Sequence, residues 1–476
     1  MRRLFTFIFI FLLTGIVFPQ RILKLEDALS IALKESYNIQ SANYSLLGSE
    51  KSLEAQKLGL RSLVSLSLDV PSYTRSLRAS FDPLTGTDNF YSTENTMVQS
   101  TLNITQPVML TNGTITLSGV LQGNRQVDLN NVQTNNYFSN LIISLNQPLF
   151  QINTQARSLE RAEINLEKAK RNFTQAEQNI IYNVSAAFFN LVKSKKSLDI
   201  TQDKVKQTEE SYKTAANKFK AGLIAEDQAL QLEVDLASSK NDLLNSIQSF
   251  EDAKNDFKIL IGLSIAENID VQGEVDYKPV QVDIEEAVKS ALKKRPDILN
   301  AENDVYLNQL AVEETDARSE IKANLRASYG INKNADQFES IFNRFADTRS
   351  VNLNISIPIL DWGKNAREVE ASEANYKQSK LSLENQKDNI RKEIISAVNK
   401  LNSSKARVEV LSKTVELAEK SYNISLERFK VGNITSFELS QSQIRLTEAR
   451  LSSLSALIDY KLSVVDLERK TLMKIE

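Results

Sequence analysis

Hydrophobic residues in this chain follow two periods, which alternate along it. Val64, Leu66, Leu68 and Val70 alternate with Ser65, Ser67 and Asp69, and later Leu141, Ile143 and Leu145 flank Ser144 and Asn146, with Ile142 on the polar side. The period of two returns at Leu325, Ala327, Tyr329 and Ile331. It returns again at Val351, Leu353, Ile355 and Ile357, interleaved with Asn352, Asn354 and Ser356. One apolar face and one Ser/Thr/Asn face describe a strand that is wet on one side. Segments 98–104 and 114–120, around Thr111-Asn112-Gly113, add a hairpin to the first group, because Asn-Gly accepts the positive φ of a tight turn.

After each strand group the spacing changes to three and four. Leu159, Ala162, Leu166, Ala169, Phe173, Ala176 and Ile180 form a heptad seam, which Val184, Ala187 and Leu191 resume after a four-residue stutter. The pattern predicts a helix over 155–220, about 100 Å long at about 1.5 Å per residue and far beyond a globular domain. Helices return over about 225–261 and 437–472. A shorter helix at 25–34 carries acids in its first turn, and 284–293 echoes it.

Single glycines mark where the long helices turn back. Gly222 is the only glycine between Pro148 and Gly262, and Gly432 the only one after Gly363. Each follows a cationic last turn, Lys218-Phe219-Lys220-Ala221 or Arg428-Phe429-Lys430-Val431, as a helix C-terminus favours. Thr435 or Ser436 is placed to cap the next helix. The two tips stand 210 positions apart, and so do Tyr212 and Tyr422, Pro148 and Pro358, Ile180 and Ile390, Ala187 and Ala397, and Leu191 and Leu401. That ungapped register reads as an internal duplication. The opening helices are offset by 259, so the first half holds an insertion of 49 residues, which the additional hairpin fills.

The fold class is therefore α+β, mostly helical and internally duplicated, with long antiparallel coiled-coil helices. The first repeat covers 21–261, with strands at about 62–150 and its tip at 222. A linker follows over 262–283, containing Gly273 and Pro279. The second repeat covers 284–476, with strands at about 321–360 and its tip at 432. Met1-Arg2-Arg3 followed by the apolar run 4–18 has the shape of a secretory signal peptide over 1–20; the other reading is a single membrane anchor. The strand alternation fits either a soluble sandwich or a shared transmembrane β-barrel with its apolar face on lipid. Too few strands flank the helices for a sandwich, and the signal favours the barrel.

Composition narrows the chemistry. Lys+Arg and Asp+Glu number 58 and 60, so no basic field invites nucleic acid. Without histidine or cysteine there are no disulfides, thiol nucleophiles, imidazole or thiolate metal sites, and no lipidated cysteine. No glycine-rich phosphate loop is present, and an enzyme, a cofactor and a metal centre are not expected.

The order of parts is a leader, a short helix, strands ending in Asn146-Gln147-Pro148-Leu149-Phe150, a long helix, a basic-Phe-Lys-x-Gly tip and a return helix, then all but the leader again. It resembles the outer-membrane efflux proteins, the TolC family of bacterial export ducts. The resemblance implies a homotrimer in the outer membrane. Each chain would give four strands to one shared barrel, and the helices would form a tapering α-barrel tunnel through the periplasm. Substrate would pass unchanged from an inner-membrane pump, with a periplasmic adaptor (membrane fusion protein) docked on the tips. Counting from the tip glycines, the docking turns fall on Ala221, Gly222 and Leu223, and on Val431, Gly432 and Asn433. The two acidic aperture positions become Glu438 and Gln441. The three positions whose side chains link helices in the closed channel become Phe429, Ile434 and Gln228, none of which can make the same links.

Each site also has a plainer reading: the tip residues as helix caps, Glu438 as a solvated helix-start carboxylate, and Trp362 as packing filler. As three copies around an axis Glu438 would instead form an anionic ring. Trp362, beside Asp361 and Gly363, would be an interfacial aromatic anchor. The additional hairpin either extends the external loops or widens the barrel to six strands per chain. Loop extension is favoured, because the helical wall has room only for the usual helices. The competing function is a periplasmic coiled-coil scaffold or adaptor, although adaptors carry one helical hairpin between compact β-domains.

Overall fold

The structure, a computed structural model, describes residues 21–127, 132–272 and 276–475; the leader at 1–20 and Gly273 lie outside the described residues. The order opens with β1 (Arg21–Leu23), α1 (Leu25–Glu35), α2 (Tyr37–Gly59), β2 (Leu63–Asp82), β3 (Thr87–Val108), β4 (Gly113–Val127) and β5 (Gln133–Leu149). It continues with α3 (Thr154–Lys220), α4 (Glu226–Ile261), β6 (Ile269–Val271), α5 (Ile284–Lys294) and α6 (Pro296–Asp316). It ends with β7 (Lys322–Ala335), β8 (Ala346–Ser356), α7 (Lys364–Lys430) and α8 (Ser436–Thr471). Among the described residues no helix is long and apolar enough to cross a membrane. The chain divides into two bodies.

Among the described residues the first body comprises 21–45, Arg171–Leu299 and 384–475. Its main core joins Leu23 of β1, Val184, Phe188 and Leu191 of α3, Phe257 and Ile261 of α4, and Ile269 of β6. The seam residues Ile180, Val184 and Leu191 are buried there. Gly262 ends α4 at φ 87°, and a Cβ on it would meet the carbonyl oxygen of Glu35 at 2.5 Å, so glycine is required twice over. The stretch read as a linker contains β6, which pairs in parallel with β1. Sequence periodicity does not reveal so short a strand. Beyond it Tyr460 donates its hydroxyl to the Lys278 carbonyl at 2.7 Å.

The second body comprises Leu46–Lys170 and Asn300–Leu383 and is built around one antiparallel sheet of order β2-β3-β4-β5-β7-β8. Here one expectation is overturned. The additional hairpin is not an extension of loops: β3 and β4 are the second and third strands of the sheet, paired along their lengths with β2 and β5. Pairing satisfies their backbone groups, which a projecting loop of that length would leave to water. The strands also run further than alternation alone predicts. β2 continues past Pro71 because the register shifts between Asp69 and Ser72, and a bulge is where a residue without an N–H is tolerated. Arg157–Glu313 at 2.9 Å and Lys168–Asp304 at 2.5 Å tie α3 to α6.

Candidate functional site

Both tips belong to the first body, and local backbone chemistry makes them. At the end of α3 the Gly222 N–H donates to the Phe219 carbonyl at 2.9 Å and the Leu223 N–H to the Lys218 carbonyl at 2.9 Å, with Gly222 at φ 69°. At the end of α7 the Gly432 N–H donates to Phe429 at 3.1 Å and the Asn433 N–H to Arg428 at 2.8 Å, with Gly432 at φ 85°. Each is a paired-bond C-cap centred on a left-handed glycine. Ala221, Gly222, Leu223, Val431, Gly432 and Asn433 are all exposed.

Beyond the second tip Thr435 is the N-cap of α8. Its hydroxyl accepts from the Glu438 N–H at 3.2 Å, and the Glu438 carboxylate accepts from the Thr435 N–H at 2.8 Å and its hydroxyl at 3.1 Å. The Thr435 backbone N–H, followed by its hydroxyl, holds the Glu438 carboxyl below the usual glutamate range. Glu438 is exposed, whereas Gln441 and Gln228 are half-buried. No hydrogen bond joins these three among the described residues.

What lies beneath the tips is a shared cluster. Ala215, Ala229 and Leu232 of the first hairpin pack with Tyr422, Phe429, Leu439 and Leu446 of the second, and Ile434 lies against them. Phe429 is 1% exposed. The Lys218 ammonium donates to the Phe429 carbonyl and lies 4.7 Å from the centre of its ring, joining α3 to α7. Further from the tips Ser440 donates to Asp235 at 2.7 Å, joining α8 to α4. Gln443, buried, donates to Thr208 at 2.9 Å and to the Lys204 carbonyl at 3.2 Å, joining α8 to α3.

Asp235, Ser440 and Gln443 are not among the positions the sequence singles out, and Lys218 is read there only as a cation at a helix end. One signal was available: Gln443 stands between Leu439 and Leu446 at spacings of four and three, a polar side chain inside an apolar seam.

In the second body Trp362 is 89% exposed and adopts φ 58°, flanked by Gly363 at φ 79°. Asp361 accepts from the Asn365 and Gly363 N–H groups at 2.9 Å each, which opens α7 and keeps its carboxyl below the usual range. Among the described residues no group of acidic side chains could hold a metal ion.

The sheet is the second candidate site. Its register places Leu66 and Leu68 of β2, Leu102 and Ile104 of β3, Ile115 and Leu117 of β4, Ile143 and Leu145 of β5, Leu325 and Tyr329 of β7, and Val351 and Leu353 of β8 on one face. The other face carries Ser67, Asn103, Ser118, Ser144, Ser328 and Asn352. On β4 and β5 the apolar side is the more exposed: Ile115, Leu121, Leu141 and Ile143 are open, while Thr116, Ser118, Ile142 and Ser144 are half-buried. An exposed apolar face this continuous is not a surface for water.

Three comparisons bear on this arrangement. The family model described as Outer membrane efflux protein matches residues 29–263 and 287–471. Nodulation protein T of Rhizobium leguminosarum bv. trifolii is 20% identical over 312 residues, which are 64% of this chain and 66% of that protein, just under two thirds of its length. The CmeC outer membrane channel of Campylobacter jejuni superposes with a TM-score of 0.70 at 15% identity, over 94% of this chain and 85% of that one. The outer membrane protein VceC of Vibrio cholerae gives 0.68 at 14% identity, over 95% of this chain and 97% of that one. With a family match running through both long helical hairpins and the strands between them, the chain belongs to the outer membrane efflux protein family.

Proposed function

We propose that the chain is a passive export duct whose three copies close around one axis, each a duplicated unit with repeats at 21–261 and 284–476, a linker at 262–283 and a leader at 1–20. The observation that carries this reading is the sheet, with one exposed apolar face and one Ser/Thr/Asn face, on a chain whose long helices are otherwise polar. In lipid only a closed barrel satisfies the backbone of such a sheet. The long helices continue the duct into the periplasm, and with no cysteine the chain is held by its barrel and not by a lipid. Trp362, exposed where the strands give way to α7, anchors the membrane interface.

A periplasmic adaptor docks on the exposed turns at Ala221, Gly222 and Leu223 and at Val431, Gly432 and Asn433, and an inner-membrane pump delivers substrate through it. Glu438, Gln441 and Gln228 line the mouth, with Glu438 the charged member. The links that Phe429, Ile434 and Gln228 cannot make are replaced by Ser440–Asp235 and Gln443–Thr208.

The test is single-channel conductance of detergent-extracted protein in planar bilayers, wild type against Glu438→Gln. Cation-preferring openings that lose their preference in the variant are expected. No conductance, from protein that fractionates with soluble periplasm, would return the chain to the scaffold reading.

A further inference from the structure

The additional hairpin continues the sheet in every respect that a wall strand must. β3 and β4 carry Leu102, Ile104, Ile115 and Leu117 on the same face as Ile143 of β5 and Leu353 of β8, and Asn103, Thr116 and Ser118 on the face of Ser144 and Asn352. A hairpin that left the wall would have no reason to keep that register. Its turn is also built into the start of the long helix. The Asn112 side chain accepts from the Thr154 hydroxyl at 3.1 Å and the Gln155 N–H at 3.3 Å, and donates to the Ile152 carbonyl at 3.2 Å. Asn153 donates to the Met109 carbonyl at 2.6 Å and Gln147 to the Thr111 carbonyl at 2.6 Å. The loop does not hang free: Asn112 satisfies the Gln155 N–H in the first turn of α3.

Six strands leave β2 and β8 as the sheet's two edges. The ladder is antiparallel throughout, so β8 runs opposite to β2, and their apolar faces coincide: Leu66 is 60% exposed on β2 and Leu353 57% on β8. An edge of one copy is therefore a direction-matched partner for the other edge of a second copy, and lipid requires that both be paired.

We propose that β3 and β4 are barrel strands, so that three copies joined β8 to β2 form a wall of eighteen strands where a chain of four would form twelve. This rests on the reading of the chain as a trimeric duct. With strands about 4.8 Å apart and tilted about 40°, eighteen strands close at a diameter of about 36 Å and twelve at about 24 Å. The external mouth is about 1.5-fold wider for the same arrangement of long helices.

The absence of native cysteine makes the test clean. Single-cysteine variants Leu102→Cys and Leu117→Cys report on the additional hairpin, Ile143→Cys and Leu353→Cys on strands that belong to the wall in either case, and Ser118→Cys on the opposite face. Each carries an environment-sensitive fluorophore in lipid vesicles containing a nitroxide-labelled lipid. The expected result is quenching at 102 and 117 equal to that at 143 and 353, with 118 unquenched. Quenching at 143 and 353 with 102 and 117 in water overturns the eighteen-stranded wall and leaves the duct standing. Water at all four overturns the duct reading itself. A variant lacking 87–127, which joins β2 directly to β5, should exclude polymers applied from the outer side at a diameter about 1.5-fold smaller than wild type does. An unchanged cut-off counts against the proposal.

Discussion

At the scale of single residues the second tip is set by Thr435 and Glu438, which bond each other's backbone and side chain at the start of α8. Thr435→Ala removes one acceptor. It should speed hydrogen exchange of the first-turn amides about fivefold, equivalent to about 1 kcal/mol. Because the Thr435 N–H and hydroxyl lower the Glu438 pKa, the protection that its charge contributes is complete at neutral pH. It is lost as the pH falls below the usual glutamate range and through the folded-state value. In Glu438→Gln that acid-side loss of protection should vanish. This cap was legible, since Thr followed three residues later by Glu is a local signature. Trp362 shows the reverse: its exposure and left-handed backbone follow from the geometry around Asp361 and Gly363, which no spacing announces.

At the scale of elements, the two hairpins meet beneath the tips in an apolar cluster crossed by few polar links. Many hydroxyls along the helices, including those of Thr201, Thr208, Ser211, Ser246 and Thr447, donate to carbonyls four residues back in their own helix. Separating the hairpins therefore leaves few unpaired donors. Toward the tips the bonds at stake are Ser440–Asp235, the pair made by Gln443 and the Lys218 contact with Phe429, and further along α8 Arg469 donates to Asn179 at 3.2 Å. Most of the cohesion is apolar, and Phe429 is its largest fully buried side chain. Phe429→Ala should cost about 3–5 kcal/mol of local stability. Its signature is faster exchange in both hairpins, because Ala215 and Leu232 of the first lose the same partner; a change confined to α7 and α8 would refute the shared cluster. The ends of α3 and α7 were legible to within a residue from one glycine each, since nothing else interrupts the heptads. The cluster was not, because helical period says which face is buried and not against which helix.

At the scale of the whole molecule, on the duct reading, detergent-extracted protein should have the mass of three chains by native mass spectrometry. A monomer with both sheet edges open would contradict that reading, because unpaired strand edges are not stable in lipid. Sequence alone determined the long helices, the alternating strands and the turn at Asn112-Gly113, since each is a contest between neighbouring residues that period and propensity decide. Only the tertiary structure decided that β3 and β4 join the sheet between β2 and β5, that β6 pairs with β1, and that Lys218 meets Phe429. Those choices are made between segments from tens to more than two hundred residues apart. There the satisfaction of backbone groups and the burial of a shared face outweigh anything written within one segment.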